Sequence, residues 1–127
     1  MPIRLTIFHP DRMITAVATD KVTLFDLVAL FRELAESNVL HYRKLIDVVS
    51  AEPALSREEL AAFGERVRKA RTDRARGALA LVADSSRGEF ARFFTSLRTD
   101  DADAPPTMVF RSIHDARRWL AEQPLEF

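Results

Sequence analysis

The chain has 127 residues, of which 47% are apolar and 30% are charged, and its 19 basic and 19 acidic side chains give a formal net charge of zero. This length suits one domain with a core of its own, and the composition is that of an ordinary globular protein. The balanced charge argues against nucleic acid or an anionic membrane surface as a partner.

Two further features of the sequence bear on location. The chain has no cysteine, which excludes disulfides and thiolate chemistry and agrees with a reducing compartment. Charged residues interrupt every apolar stretch well before the roughly 20 residues that a membrane-spanning helix needs. The N-terminal sequence Met-Pro-Ile-Arg-Leu-Thr also lacks the apolar centre of a signal peptide. We therefore expect one cytoplasmic domain over residues 1–127, without integral membrane association.

The chain begins with two strand-like segments. Residues 4–8 alternate apolar and polar side chains, and residues 13–19 are apolar or β-branched at nearly every position. The four residues between them include Pro10 and Asp11, which favour a turn. A connection this short predicts an antiparallel hairpin.

Four helix-start signatures divide the rest of the chain. In each, a hydroxyl residue is followed three positions later by an acid, which is typical of a capping box. The four pairs are Thr23 with Asp26, Ser56 with Glu59, Ser86 with Glu89, and Ser112 with Asp115. Apolar residues at helical spacing follow each pair, so we predict four helices.

Short apolar segments precede the last three predicted helices. Residues 43–49, 78–83 and 107–111 are predicted strands, whereas residues 50–55, which contain Pro53, are predicted as a loop. The order is therefore ββαβαβαβα. It predicts an α/β fold with a single mixed sheet of about five strands, the N-terminal hairpin followed by parallel strands, and four helices.

Few side chains are grouped in a way that suggests catalysis or metal binding. His9, His41 and His114 lie in different segments, without a second ligand at helical spacing, so we interpret them as unrelated surface residues and expect no metal. Asp47 lies inside an apolar strand, where hydrogen bonding to nearby amides is favoured over a general-base role. An enzyme using Asp47, Asp84 or Ser85 ranks last among our hypotheses, and we expect no cofactor.

Three other groups have both a structural and a functional interpretation. Asp84, Ser85 and Ser86 lie where a strand meets a helix start, a common ligand position, but no phosphate-binding glycine motif accompanies them. The basic residues from Arg66 to Arg76 are interpreted as a solvated helix end rather than a docking patch. A set of phenylalanines at helical spacing either belongs to the core or lines an apolar ligand pocket. This set is Phe31, Phe63, Phe90 and Phe94.

The element order and four segments carry a family resemblance. The segments are Tyr42-Arg-Lys-Leu-Ile-Asp47, Leu55-Ser-Arg-Glu-Glu-Leu60, Gly77-Ala-Leu-Ala-Leu-Val-Ala83 and Val109-Phe-Arg-Ser-Ile-His-Asp-Ala116. Together they resemble the SpoIIAA-like branch of the STAS domains, the fold of the anti-sigma-factor antagonists. The resemblance covers nearly the whole chain, and it implies a bacterial regulatory module that acts through protein–protein contact without catalysis.

The resemblance also implies a candidate regulatory site. In the anti-sigma-factor antagonists, a strand aspartate is followed by an Asp-Ser-Ser-Gly motif whose serine caps the second helix and is the phosphorylation switch. Asp47 resembles that aspartate and Ser56 occupies the place of that serine, although Ser56 stands in Ala-Leu-Ser-Arg-Glu. Asp84-Ser85-Ser86 follows the next strand instead. We favour a capping role for Ser56 and retain phosphorylation as the alternative.

Two functions therefore stay open. In the first, an unknown protein partner binds around Pro53, Ser56 and Arg57 and the neighbouring loop at Asp84–Arg87. In the second, the chain carries a lipid or another apolar ligand. This function is implied by the resemblance of this branch to lipid-carrying Sec14-type domains. An edge strand or an apolar helix face would also allow a homodimer.

Overall fold

The computed structural model describes residues 2–69, 77–84, 88, 91 and 106–123. Five strands form one sheet in the order β1-β2-β3-β4-β5. They are β1 (Ile3–Phe8), β2 (Met13–Val22), β3 (Arg43–Pro53), β4 (Leu79–Val82) and β5 (Thr107–Phe110). β1 is antiparallel to β2 and all other neighbours are parallel, so the predicted mixed sheet is confirmed.

Three of the four predicted helices lie among the described residues. They are α1 (Leu24–Glu36), α2 (Arg57–Lys69) and α3 (Ile113–Ala121). The helix predicted to begin at Ser86 lies outside the described residues, apart from Gly88, which is exposed in a bend, and Ala91, which is helical and fully buried. None of the helices that the structure describes is long and apolar enough to cross a bilayer.

The capping interactions explain why these helices begin where they do. The Thr23 hydroxyl oxygen accepts the Asp26 N–H, and an Asp26 carboxylate oxygen accepts the Thr23 N–H at 2.9 Å. Ser56 and Glu59 make the same reciprocal pair, at 3.1 and 2.9 Å. Ser112 Oγ accepts the Asp115 N–H at 3.4 Å. Each cap thus satisfies amide donors that the first helical turn leaves unpaired.

The helices cover both faces of the sheet. The face formed by Ala18, Val48 and Leu81 packs under side chains from α1 and α2. Alternate residues on the opposite face, such as Leu45 and Val82, pack against Ala116 and Leu120 of α3. Ile113, the first residue of α3, is 38% exposed.

β3 is longer than the sequence predicted, and a bulge interrupts it. The register steps from Val17↔Asp47 to Thr19↔Ser50, so Val48 and Val49 together face the single residue Ala18. Beyond the bulge, residues 50–53 pair with residues 19–22 of β2. The prediction of a loop over residues 50–55 was therefore wrong for residues 50–53. Pro53 is tolerated because it ends the strand.

The interpretation of the histidines as unrelated surface residues was wrong for His41, which is buried, whereas His9 is exposed but contacts the same tyrosine. His9 Nδ1 lies 2.7 Å from the Tyr42 hydroxyl, and the His41 ring packs edge-on against Tyr42 with 4.8 Å between centroids. His41 is only 8% exposed. The two histidines therefore belong to one structural cluster around Tyr42, at the edge where the parallel strands begin.

Candidate functional site

The surface that the sequence favoured lies at the carboxyl edge of the long β2–β3 pair. Val22 and Pro53 are the last registered partners, and the Ala54 N–H donates to the Val22 carbonyl at 2.8 Å. Thr23 caps α1 immediately after this pair, and Ser56 caps α2 three residues after it. Two neighbouring helices therefore begin side by side at this edge.

Phe25 is the most exposed large apolar side chain among the described residues. It lies in the first turn of α1, and 79% of its surface is accessible. Pro53, Ser56 and Arg57 at the same edge are also exposed. We call Phe25, Pro53, Ser56 and Arg57 the helix-start surface. It is an aromatic side chain beside polar and charged groups, which is a common composition for a protein-binding site.

Phe25 was missed by the sequence-based prediction, although a signal for it was present. The core-facing stripe of α1 contains the partly buried residues Leu24, Leu27, Val28 and Phe31, which share one side of the helix. Phe25 is one residue away from Leu24 and therefore points about 100° around the helix from it. The position of Phe25 outside the apolar stripe therefore indicates that its ring is exposed.

Asp47 is not part of the helix-start surface. It shares the α3-side face of the sheet with Leu45, whereas α2 packs on the other face. The path along β3 from Asp47 to Pro53 also spans roughly 15–20 Å. The Asp47 carboxylate accepts the Val49 N–H at 3.0 Å, so it satisfies an amide in the bulge.

The other sequence-predicted residues divide between described and undescribed segments. Asp84 is exposed and follows β4, two residues after Val82, which is the registered partner of Asp47. Ser85, Ser86, Phe90 and Phe94 lie outside the described residues. The structure therefore places Pro53, Ser56 and Arg57 at the carboxyl edge of the β2–β3 pair. Asp47 lies away from them, on the sheet face that α3 covers.

A groove between α1 and α2 contains the remaining predicted pocket residues. Phe31 of α1 and Phe63 of α2 meet edge-on, with 6.3 Å between ring centroids and 89° between ring planes. The groove encloses about 250 Å³ and is open on one side. Its described lining is Val28, Phe31, Arg32, Ala35, Phe63 and Arg66. Phe31 and Phe63 line this groove and also pack in the hydrophobic core, so both interpretations of these phenylalanines stay open.

The helix-start surface and the groove present different chemical groups. Within the described ranges, histidine, aspartate and glutamate side chains nowhere form a group of three or more that could hold a metal ion. The helix-start surface offers an aromatic ring, a capping hydroxyl and backbone amides at a helix N-terminus. The groove offers an apolar floor with two guanidinium groups.

Comparison with known proteins identifies the fold. No protein-family model and no curated protein matches the chain. A solved structure, that of an uncharacterised protein of the DUF3478 family with a SpoIIAA-like fold from Shewanella loihica PV-4, is similar to it with a TM-score of 0.61. The alignment covers 93% of this chain and 91% of that one, at 18% sequence identity. The chain therefore has the SpoIIAA-like, STAS-type α/β fold that its sequence resembles.

Proposed function

We propose that this chain is a non-catalytic regulatory module of the bacterial cytoplasm that binds a protein partner through the helix-start surface. The exposure of Phe25 carries this proposal. An aromatic side chain left largely in water gains about 1.5–3 kcal/mol when a partner buries it. Aromatic residues are also enriched among the side chains that dominate binding energy at interfaces.

The neighbouring groups suit a regulated contact. Ser56 is exposed at the N-terminus of α2, where backbone amides and the helix dipole favour an anion. Phosphorylation there would add about −1.5 to −2 charges beside Phe25 and Arg57. The acids Glu58 and Glu59 lie in the same turn and would oppose that added charge. We therefore retain capping as the primary role of Ser56, with phosphorylation as a second layer of control.

Alanine substitution of Phe25 tests the proposal, and Phe8 provides a matched control. Phe8 is also exposed, at 52%, but it pairs with Met13 at the opposite edge of the sheet. We expect Phe25→Ala to lose most capture of a partner from cells that produce the protein, whereas Phe8→Ala retains it. Equal capture by both variants would contradict the proposal.

A second candidate function is carriage of a small apolar ligand, and the groove between α1 and α2 favours it. Phe31 and Phe63 line this groove together with Val28 and Ala35. Intact mass measurement under native and then denaturing conditions tests it. A noncovalent adduct seen only under native conditions, and lost on filling the groove through Ala35→Trp, would support a carrier. A bare polypeptide mass would favour the interaction module.

A further inference from the structure

We infer that the groove between α1 and α2 binds a single-chain anionic amphiphile, with its aliphatic chain on the apolar floor and its carboxylate or phosphate group between Arg32 and Arg66. This inference rests on the second candidate function and specifies its ligand. It depends on the charges at the rim, which the prediction of an apolar pocket did not include.

The floor of the groove is apolar and comes from both helices. Val28, Phe31 and Ala35 are contributed by α1, and Phe63 by α2. Phe31 and Phe63 meet edge-on, and Phe31 is partly exposed whereas Phe63 is buried. Burial of that chain would supply most of the binding free energy, because the hydrophobic gain scales with the apolar area removed from water.

The rim of the groove carries two positive charges and no described negative charge. Arg32 of α1 and Arg66 of α2 both line it, one from each helix, and no acid is among the described lining residues. Two positively charged side chains that line one groove favour an anion there over a cation. A carboxylate or phosphate oxygen pair matches the planar donor fork of arginine, and two such forks can clamp one anionic group.

One acid on α1 is placed to compete with the ligand. Glu36 lies four residues after Arg32, a spacing that allows an ion pair along the helix surface. Both residues are exposed, so water and salt weaken such a pair and an anion bound in the groove could displace it. Arg66 comes from the other helix and would remain available to the same anion.

The size of the groove restricts the ligand to one chain. Its volume of about 250 Å³ lies just below the range of roughly 300–1,000 Å³ typical of small-molecule pockets. The open side leaves the head group in contact with solvent, as the exposed positions of both arginines require. A double-chain lipid would leave one chain in water, whereas a single-chain acid or phosphate ester would not.

Titration calorimetry with four probes of equal chain length tests the assignment. The probes are dodecanoate, dodecyl phosphate, dodecanol and dodecyltrimethylammonium, and inorganic phosphate is the fifth titrant. The three ionic amphiphiles are kept below their critical micelle concentrations and dodecanol below its solubility limit. We expect the two anionic amphiphiles to bind about tenfold or more tightly than dodecanol, a difference of about 1.4 kcal/mol. The cationic amphiphile should bind more weakly still. Inorganic phosphate should not bind measurably, because it lacks the chain.

Matched variants separate the charge from the groove. Arg32→Gln with Arg66→Gln should reduce dodecanoate affinity to that of dodecanol, and Arg117→Gln on α3 should leave it unchanged. Ala35→Trp should abolish binding of all four dodecyl probes by filling the groove. Ala61→Trp, at an exposed position of α2 outside the described lining, is its control.

The outcomes distinguish this inference from the function on which it rests. If dodecanol binds as tightly as dodecanoate and Ala35→Trp removes both, the groove carries neutral ligands and the anionic assignment is wrong. If inorganic phosphate binds as tightly as dodecyl phosphate, the rim is a simple anion site. If no probe binds to the wild-type protein, the inference and the carrier function both fail, and the interaction module is unaffected.

Discussion

Phe25 and Ser56 each lie three residues beyond the last registered pair of the β2–β3 ladder, Val22 and Pro53. This symmetry places the first turn of α1 beside the cap of α2, although the two segments are distant in sequence. The exposed ring of Phe25 thereby shares an edge with Ser56, which caps α2. The proposed interaction surface follows from this placement.

The cap at Ser56 makes a measurable contribution to stability. Ser56→Ala removes the acceptor of the Glu59 N–H and should lower the free energy of unfolding by about 1 kcal/mol. Ser56→Asp should retain nearly all of it, because aspartate is an equally good cap. Urea denaturation measures the free energy of unfolding of both variants. Ser50→Ala, at an exposed position of β3, is the control. An unchanged midpoint for Ser56→Ala would contradict the capping role.

The bulge in β3 depends on the carboxylate of Asp47. Asp47→Ala leaves the Val49 N–H without its acceptor, and we expect a loss of about 1 kcal/mol in the free energy of unfolding. Asp47→Asn keeps an acceptor oxygen and should lose less than half of that. Glu52→Ala, on an exposed position of the same strand, should change stability by less than about 0.5 kcal/mol. Equal stability of the Asp47→Ala and Glu52→Ala variants would show that the bulge needs no side-chain acceptor.

Gly77 allows two backbone segments to approach more closely than any other residue would permit. A Cβ at this position would overlap the carbonyl oxygen of Tyr42 and lie 2.5 Å from that of His41. The Tyr42 carbonyl is held by the buried Lys44 ammonium at 3.0 Å, so it cannot easily move away. We expect Gly77→Ala to destabilise the protein by about 2–3 kcal/mol. Thermal unfolding measures this, and a loss below about 0.5 kcal/mol would contradict the close approach.

The hydrogen bond between His9 and Tyr42 joins the hairpin turn to the residue before β3. It connects residues 33 apart in the sequence at a distance of 2.7 Å. Tyr42→Phe should reduce the free energy of unfolding by about 0.5–1 kcal/mol. A double-mutant cycle with His9→Ala isolates this contact from the ring packing, and the two substitutions should be less than additive. Strict additivity would show that the pair does not interact.

Local signals in the sequence accounted for most of the fold. The capping pairs at Thr23, Ser56 and Ser112 predicted three helix starts correctly, because each uses only residues within one turn. The apolar segment at residues 78–83 predicted a buried strand, because this signal also depends only on neighbouring residues in the sequence. The extension of β3 through residues 50–53 could not be predicted in this way, because it depends on the partner strand supplied by residues 19–22.

The candidate sites were predictable only in part. The capping pattern and spacing of Ser56 identified it as a candidate residue. Helical periodicity identified Phe31 and Phe63. The separation of Asp47 from Ser56 could not be predicted, because it depends on which face of the sheet each helix covers. The juxtaposition of Arg32 and Arg66 likewise depends on how α1 packs against α2. Sequence spacing contains no direct information about either relationship.

Site-specific photo-crosslinking tests the central claim most directly. A benzoylphenylalanine at position 25, in cells that produce the protein, should yield one discrete crosslinked species larger than the chain, and the same group at position 8 should not. Its mass would also distinguish a second copy of this chain from a different protein. Crosslinking of equal yield at both positions, or none at position 25, would contradict the proposal that the helix-start surface binds a partner.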